Sequence, residues 1–163
     1  MRARIYVMYG QFGWITSIGM ANLANRIASL YPDCPVTTHS WKYPSEITID
    51  ITKLNSNSKV PVILIGYSLG ANSITIAAST LKREIALGVC YDPSVLGEVI
   101  QPTPNIKRLL LYHNISNEPW GHLIFTGPQV ERINLSTWHL AVCFSEGLHQ
   151  RTLAAIKQVI GSS

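Results

Sequence analysis

The sequence predicts an α/β fold: a mostly parallel central sheet of about six strands with helices on both faces. Three observations predict it. Short apolar runs alternate with segments of helical period along the whole chain. The run "KVPVILIGY", 59–67, is apolar almost throughout, as a strand buried on both faces must be. The 163 residues are 47% hydrophobic and 13% charged, which suffices for one domain over 1–163 and excludes a disordered chain.

Each element has a local reason. "RIYVMYG" (4–10) reads as a buried strand. "TSIGMANLANRIASLY" (16–31) places Ile18, Leu23, Ile27 and Leu30 on one helical face, and Pro32 stops it. "PVTTHSW" (35–41) is the second strand. "SEITIDITKLN" (45–55) points two ways: Ile47, Ile49 and Ile51 alternate as in a strand, but its place between two strands favours a helix. The strand at 59–67 is followed by a helix to about Lys82. "EIALGVCYD" (84–92) is the next strand, and Pro93 opens a short helix or turn. "IKRLLLYHN" (106–114) is a further strand, and 115–127 is a loop with room for one short strand at "HLIF". "VERINLS" (130–136) is the last strand. "SEGLHQRTLAAIKQVIG" (145–161) is a closing helix, started by Ser145-Glu146 and ended at Gly161.

Composition excludes several classes. No apolar run approaches the ~20 residues that span a bilayer. The start, "MRARIYVMYG", lacks the long apolar region and cleavage site of a secretory signal, so the expected location is the cytoplasm. The net charge of +4 is scattered, with only Lys82-Arg83 and Lys107-Arg108 adjacent, and no nucleic-acid partner is expected. Cys34, Cys90 and Cys143 show no paired spacing, which speaks against a zinc site or a disulfide framework. Cys90 falls in an apolar strand and reads as core.

The chemistry centres on "IGYSLGA", 65–71. Glycine, any residue, serine, any residue, glycine at a strand-to-helix junction is a nucleophile elbow. The strand must turn sharply, which strains the serine, and small residues on either side let strand and helix approach. The Ser68 hydroxyl is then lifted above the strand ends, over the positive N-terminus of a helix. By chance the bare pattern occurs in roughly 0.05–0.1 of chains this long, and the flanking strand and helix make it rarer. The bland alternative is a tight turn with a helix cap. A phosphate loop fits worse, for no Gly-Lys-Ser/Thr ending follows.

This elbow after a buried strand resembles the α/β-hydrolase family, and the resemblance covers most of the chain. The first strand ends "YGQFG", similar to the family's oxyanion loop, with Tyr9 where histidine is usual. The resemblance implies that the backbone amides of Gln11 and Leu69 form the oxyanion hole, with Phe12 as the substitute for Gln11. It also implies the chain order nucleophile, acid, histidine. "STWHLAVCF" is similar to the loop bearing the family's histidine, which assigns His139, with His122 next. His39 and His113 read as packed or edge residues of strands, and His149 as a solvent-facing residue of the closing helix. The acid is assigned to Asp92, at the place where some members of the family carry it, with Glu118 as the alternative. Asp92 ends the strand "ALGVCYD", and Glu118 lies in "HNISNEPWG", after the strand where most of the family carries its acid.

Against the family pattern the chain starts near the third strand and leaves little room for a lid, which implies an open, shallow site. The expected activity is hydrolysis of small-molecule carboxylic esters or thioesters, esterase- or lipase-like, through an acyl-enzyme. No metal or organic cofactor is expected, and the histidines lie on elements too unlike one another to hold a metal. Trp14, Trp41, Tyr43 and Trp120 fall near strand ends, where packing is the commoner role than lining an acyl site. An acyltransferase using the same serine, and a noncatalytic binding module that keeps the elbow, are the alternatives.

Overall fold

β3 (Val62–Tyr67) is buried at every residue, and the rest of the molecule is layered around it. The structure is a computed structural model that describes residues 2–11, 13, 17–54, 59–116 and 123–161. In chain order the other elements are β1 (Arg4–Tyr9), α1 (Ile18–Leu30), β2 (Val36–Ser40), α2 (Pro44–Lys53), α3 (Leu69–Thr80), β4 (Leu87–Tyr91), β5 (Leu109–Asn114), β6 (Val130–Leu135), α4 (His139–Val142) and α5 (Glu146–Gly161). The six strands form one sheet in the order β2-β1-β3-β4-β5-β6, and every neighbouring pair is parallel. After β1 the chain moves outward to β2 and then returns to the other side of β1. The segments leaving β1 and β3 therefore diverge, the switch of strand order beside which open parallel sheets bind their ligands.

Period-two alternation divides the strands between two apolar layers. Ile5, Val7, Ile63, Ile65 and Val89 face α1 and α5, where Leu23, Ile27 and Ile156 meet them. Tyr6, Met8, Leu64 and Leu111 face α2 and α3, against Ile47, Ile51 and Ile74. The two-way segment after β2 is a helix with Pro44 in its first turn. Ile47 and Ile51, four apart, are buried, whereas Ile49 is 54% exposed. Helical period, not alternation, governs that stretch. On its buried side Asp50 accepts hydrogen bonds from Arg4 Nη2 (2.7 Å) and Tyr6 Oη (2.6 Å), tying α2 to β1.

Of the short helix or turn expected after Pro93, the structure has no helix: residues 92–108 cross to β5 as bends and turns, pinned by a bridge between Ile85 and Ile106. Two expectations need correcting. Residues 123–125 of "HLIF" are not a strand. His149 is not solvent-facing but 6% exposed. Its Nε2 donates to the Cys143 carbonyl at 2.8 Å, and its ring meets the edge of Tyr91. The four-residue α4 was not anticipated. No described helix is long and apolar enough to cross a membrane.

α3 lies directly on the backbone of β1 and β3. A Cβ on Gly66 would stand 2.3 Å from the Gly70 carbonyl oxygen, and one on Gly70 would stand 2.4 Å from that of Met8. Backbone is on the far side of both contacts, so nothing can yield cheaply. Gly70→Ala is expected to lower unfolding free energy by about 1–3 kcal/mol or more. Gly147→Ala in α5, where a Cβ meets nothing within 4 Å, is expected to raise it by a few tenths to about 1 kcal/mol. Urea denaturation of the two variants checks the opposite signs.

Burial is the main force lowering the His149 pKa below its ordinary value, against the opposing pull of the Cys143 carbonyl. The unfolded chain therefore binds this proton more readily than the folded one. Stability is expected to fall as pH drops below about 6.5 and on through the lower folded value. In a His149→Gln variant the loss over that window is expected to be shallower, as read from denaturation midpoints between pH 7 and 5.

Candidate active site

Ser68 caps the junction of β3 and α3 with φ 56° and ψ −125°, a left-handed value that a non-glycine residue holds only when its surroundings impose it. Here they do. The close approach of Gly66 and Gly70 fixes the helix against the strand, and Ser68 N–H donates to the Tyr91 carbonyl at 2.9 Å. The neighbouring strand repeats the device. Asp92 follows β4 with φ 45°, and its N–H donates to the Tyr112 carbonyl at 2.8 Å. Two polar residues are thus turned out of the sheet at adjacent strand ends, both held by the parallel ladder.

The third polar residue comes from the opposite end of the chain. His139 opens α4, just past β6, and its ring lies between the other two. Nδ1 is 2.6 Å from Asp92 Oδ2, and Nε2 is 2.9 Å from Ser68 Oγ. A carboxylate can only accept, so Nδ1 carries the proton and the Nε2 lone pair faces the serine hydroxyl. All three are nearly inaccessible: Asp92 is 0% exposed, His139 6% and Ser68 7%. Asp92 Oδ1 accepts a second bond from the Asn114 N–H at 3.1 Å.

Two supports for this line of residues were not found from the sequence. Tyr67 stacks on the His139 ring, with centroids 5.1 Å apart and planes at 29°, and its hydroxyl donates to the His139 carbonyl at 3.2 Å. Tyr67, Tyr91 and Tyr112 are register partners on adjacent strands and face the same side. The Tyr91 and Tyr112 hydroxyls both reach Thr152 Oγ1 of α5, at 2.6 and 3.1 Å. Burial pushes the pKa of each above its ordinary value, so both stay protonated. Three tyrosines at matching strand ends were the signal, visible only once strand register is known. The second support is Asn114. Its side-chain oxygen accepts from the Ser116 and Thr137 N–H groups, at 3.1 and 3.4 Å, while Ser116 Oγ donates to the Thr137 carbonyl at 2.8 Å. The segment before His139 is thereby fastened to the strand whose N–H holds Asp92.

The other sequence candidates are placed as follows. Leu69 is the first residue of α3, directly after Ser68, and is buried. Gln11 is an exposed turn residue, and a Cβ on its neighbour Gly10 would stand 3.0 Å from Ser68 Cβ. The β1–α1 turn is therefore against the serine, and Ser17 Oγ braces it by accepting from Gly10 N–H at 3.1 Å. Phe12, Trp14, Glu118, Trp120 and His122 lie outside the described residues. His39 sits half-buried on the edge strand β2, and His113 is buried within β5. The Trp41 carbonyl accepts from Ser73 Oγ at 2.7 Å, and Tyr43 is exposed. No group of three or more His, Cys, Asp or Glu among the described residues could hold a metal.

No protein-family model and no curated protein sequence matches the chain. Solved structures do. One, from Xanthomonas campestris pv. campestris, is described as a candidate hydrolase of the alpha/beta superfamily. It superposes with a TM-score of 0.68 at 12% identity over 99% of both chains. Another, from Pectobacterium atrosepticum, is described as a candidate YdeN-like hydrolase; its TM-score is 0.56 at 16% identity, over 97% of this chain and 93% of that one. With its six parallel strands, its helices on both faces and these two superpositions over nearly the whole length, the chain has the fold of the α/β-hydrolase superfamily.

Proposed function

We propose that this protein is a serine hydrolase that cleaves carboxylic esters or thioesters through an acyl-enzyme. The observation that carries the reading is the hydrogen-bonded line from Asp92 through His139 to Ser68. The likeness in fold to two candidate hydrolases supports the reaction class. Asp92 already makes the contact on Nδ1 that the acid must make, so the reading takes Asp92 over Glu118.

Ser68 Oγ attacks the substrate carbonyl carbon while its proton passes to His139 Nε2. Asp92 keeps the imidazole in the tautomer that can accept this proton and stabilises the cation that forms. The tetrahedral oxyanion is met by the Leu69 N–H at the start of α3, with the Gln11 N–H from the adjacent turn as second donor. His139 returns the proton to the leaving oxygen or sulfur, and the acyl group stays on Ser68. Water attacks that ester, giving its proton to Nε2; the Ser68 Oγ–acyl bond then breaks, Nε2 passes the proton back to Oγ, and the carboxylic acid product departs. Both turns are braced before substrate arrives, so little reorganisation is required during the reaction.

Ser68→Ala is expected to abolish ester turnover and leave the circular dichroism spectrum unchanged. Asp92→Asn, which loses the tautomer control, is expected to lower kcat by about 10³–10⁴-fold. Glu118→Gln is expected to cost far less. Steady-state kinetics on p-nitrophenyl esters checks the set, and the reverse order of the last two would move the acid to Glu118.

Tyr67 acts as a positioning residue for His139. Tyr67→Phe keeps the stacked ring but frees the His139 carbonyl, and Tyr67→Leu removes both contacts. The expected result is a fall in kcat of about three- to tenfold for Phe and more for Leu, with KM little changed. Equal losses in kcat and gains in KM would assign Tyr67 to substrate binding instead.

A further inference from the structure

The rim of the proposed active site is apolar, and one side of it is built with a dedicated polar clamp. Residues 92–99 leave β4 beside the serine. Asn72, one turn into α3 and 2% exposed, holds this segment at both ends. Its Nδ2 donates to the Ser94 carbonyl at 2.8 Å and the Glu98 carbonyl at 3.3 Å, and its Oδ1 accepts from the Ser94 N–H at 3.1 Å. Gly97, at φ 88°, brings the segment down so that a Cβ there would stand 3.2 Å from Leu69 Cδ2. Leu69 is the residue directly after Ser68. A buried asparagine thus fixes the backbone, yet Val95, Leu96 and Val99 remain 40–45% exposed. Trp138, Leu140 and Phe144, within five residues of His139 in sequence, are 52–76% exposed.

Apolar side chains scattered singly on a surface need no explanation, but two exposed apolar groups that follow Asp92 and surround His139 in sequence do. Charge narrows the ligand. Between Pro93 and Val99 only Glu98 is charged, and between Ser136 and Phe144 no Asp, Glu, Lys or Arg occurs. We infer that the Asn72-clamped segment 94–99 is the acyl-binding wall, and that the substrates carry an uncharged hydrocarbon acyl chain laid along Val95, Leu96 and Val99. This rests on the serine-hydrolase reading. It places the acyl chain on the Leu69 side, where the carbonyl oxygen is bound, and the leaving group on the side of His139, which must protonate it.

The test is the dependence of kcat/KM on acyl length at constant leaving group, using p-nitrophenyl acetate, butyrate, hexanoate and octanoate as monomers. On a half-open wall each added methylene is expected to raise kcat/KM about twofold. In Leu96→Asn/Val99→Asn the rise is expected to flatten. Asn72→Ala, which loosens the segment but keeps its apolar side chains, is expected to lower the octanoate-to-acetate ratio about three- to tenfold, with the native circular dichroism spectrum retained. Ile49→Asn, on the exposed side of α2, is expected to keep the wild-type slope. A flat wild-type series, or a slope that survives the Leu96/Val99 changes, overturns the inference while leaving a hydrolase. Absence of turnover on every ester, together with an unreactive Ser68, overturns the hydrolase reading and this inference with it.

Discussion

α3 rests on bare backbone, and the rest of the site depends on that contact. Gly66 and Gly70 let the helix sit so near β1 and β3 that a single added methyl on either would overlap a carbonyl. The chain between them has one way to turn, and Ser68 takes the left-handed conformation that such a turn requires. Strain of this kind, of order 1–3 kcal/mol, persists only where the surroundings over-determine the backbone. Two buried apolar layers and a parallel ladder supply that over-determination. The serine is thereby aimed by the fold itself.

The same economy governs its partners. Asp92 is turned out of the sheet one strand away by the same ladder, and its buried carboxylate is satisfied by the His139 Nδ1–H and the Asn114 N–H. A buried carboxylate without such donors would be costly. His139 has to be delivered by a segment far away in sequence. The tyrosine row and Asn114 hold that segment against the sheet from two directions.

Much of this was legible in the sequence because it follows local rules. The apolar run 59–67, the glycine-flanked serine and the proline stops each fix a short stretch of backbone irrespective of distant contacts. Chain order then indicated which acid and which histidine to examine, and the fold brings Ser68, Asp92 and His139 within hydrogen-bonding distance. The parts that escaped depend on long-range packing. His149 lies on a helix whose pattern leaves room for an exposed polar residue, yet α4 and Tyr91 cover it. By contrast, the place of 45–55 between two strands already favoured the helix α2 over its strand-like alternation. Asn72 looks like an ordinary polar residue of a helix until the crossing segment 94–98 is laid over it.

The central claim is that the buried line from Asp92 to Ser68 activates the serine. Mass spectrometry of the intact protein and its peptides after exposure to a fluorophosphonate, beside a Ser68→Ala control, tests it most directly. The reagent requires both an activated hydroxyl and donors for the developing oxyanion. The account predicts one adduct per chain, on Ser68, absent from the control. A folded protein that takes no adduct, or takes it elsewhere, would contradict the account and leave the elbow as a structural turn in a binding protein.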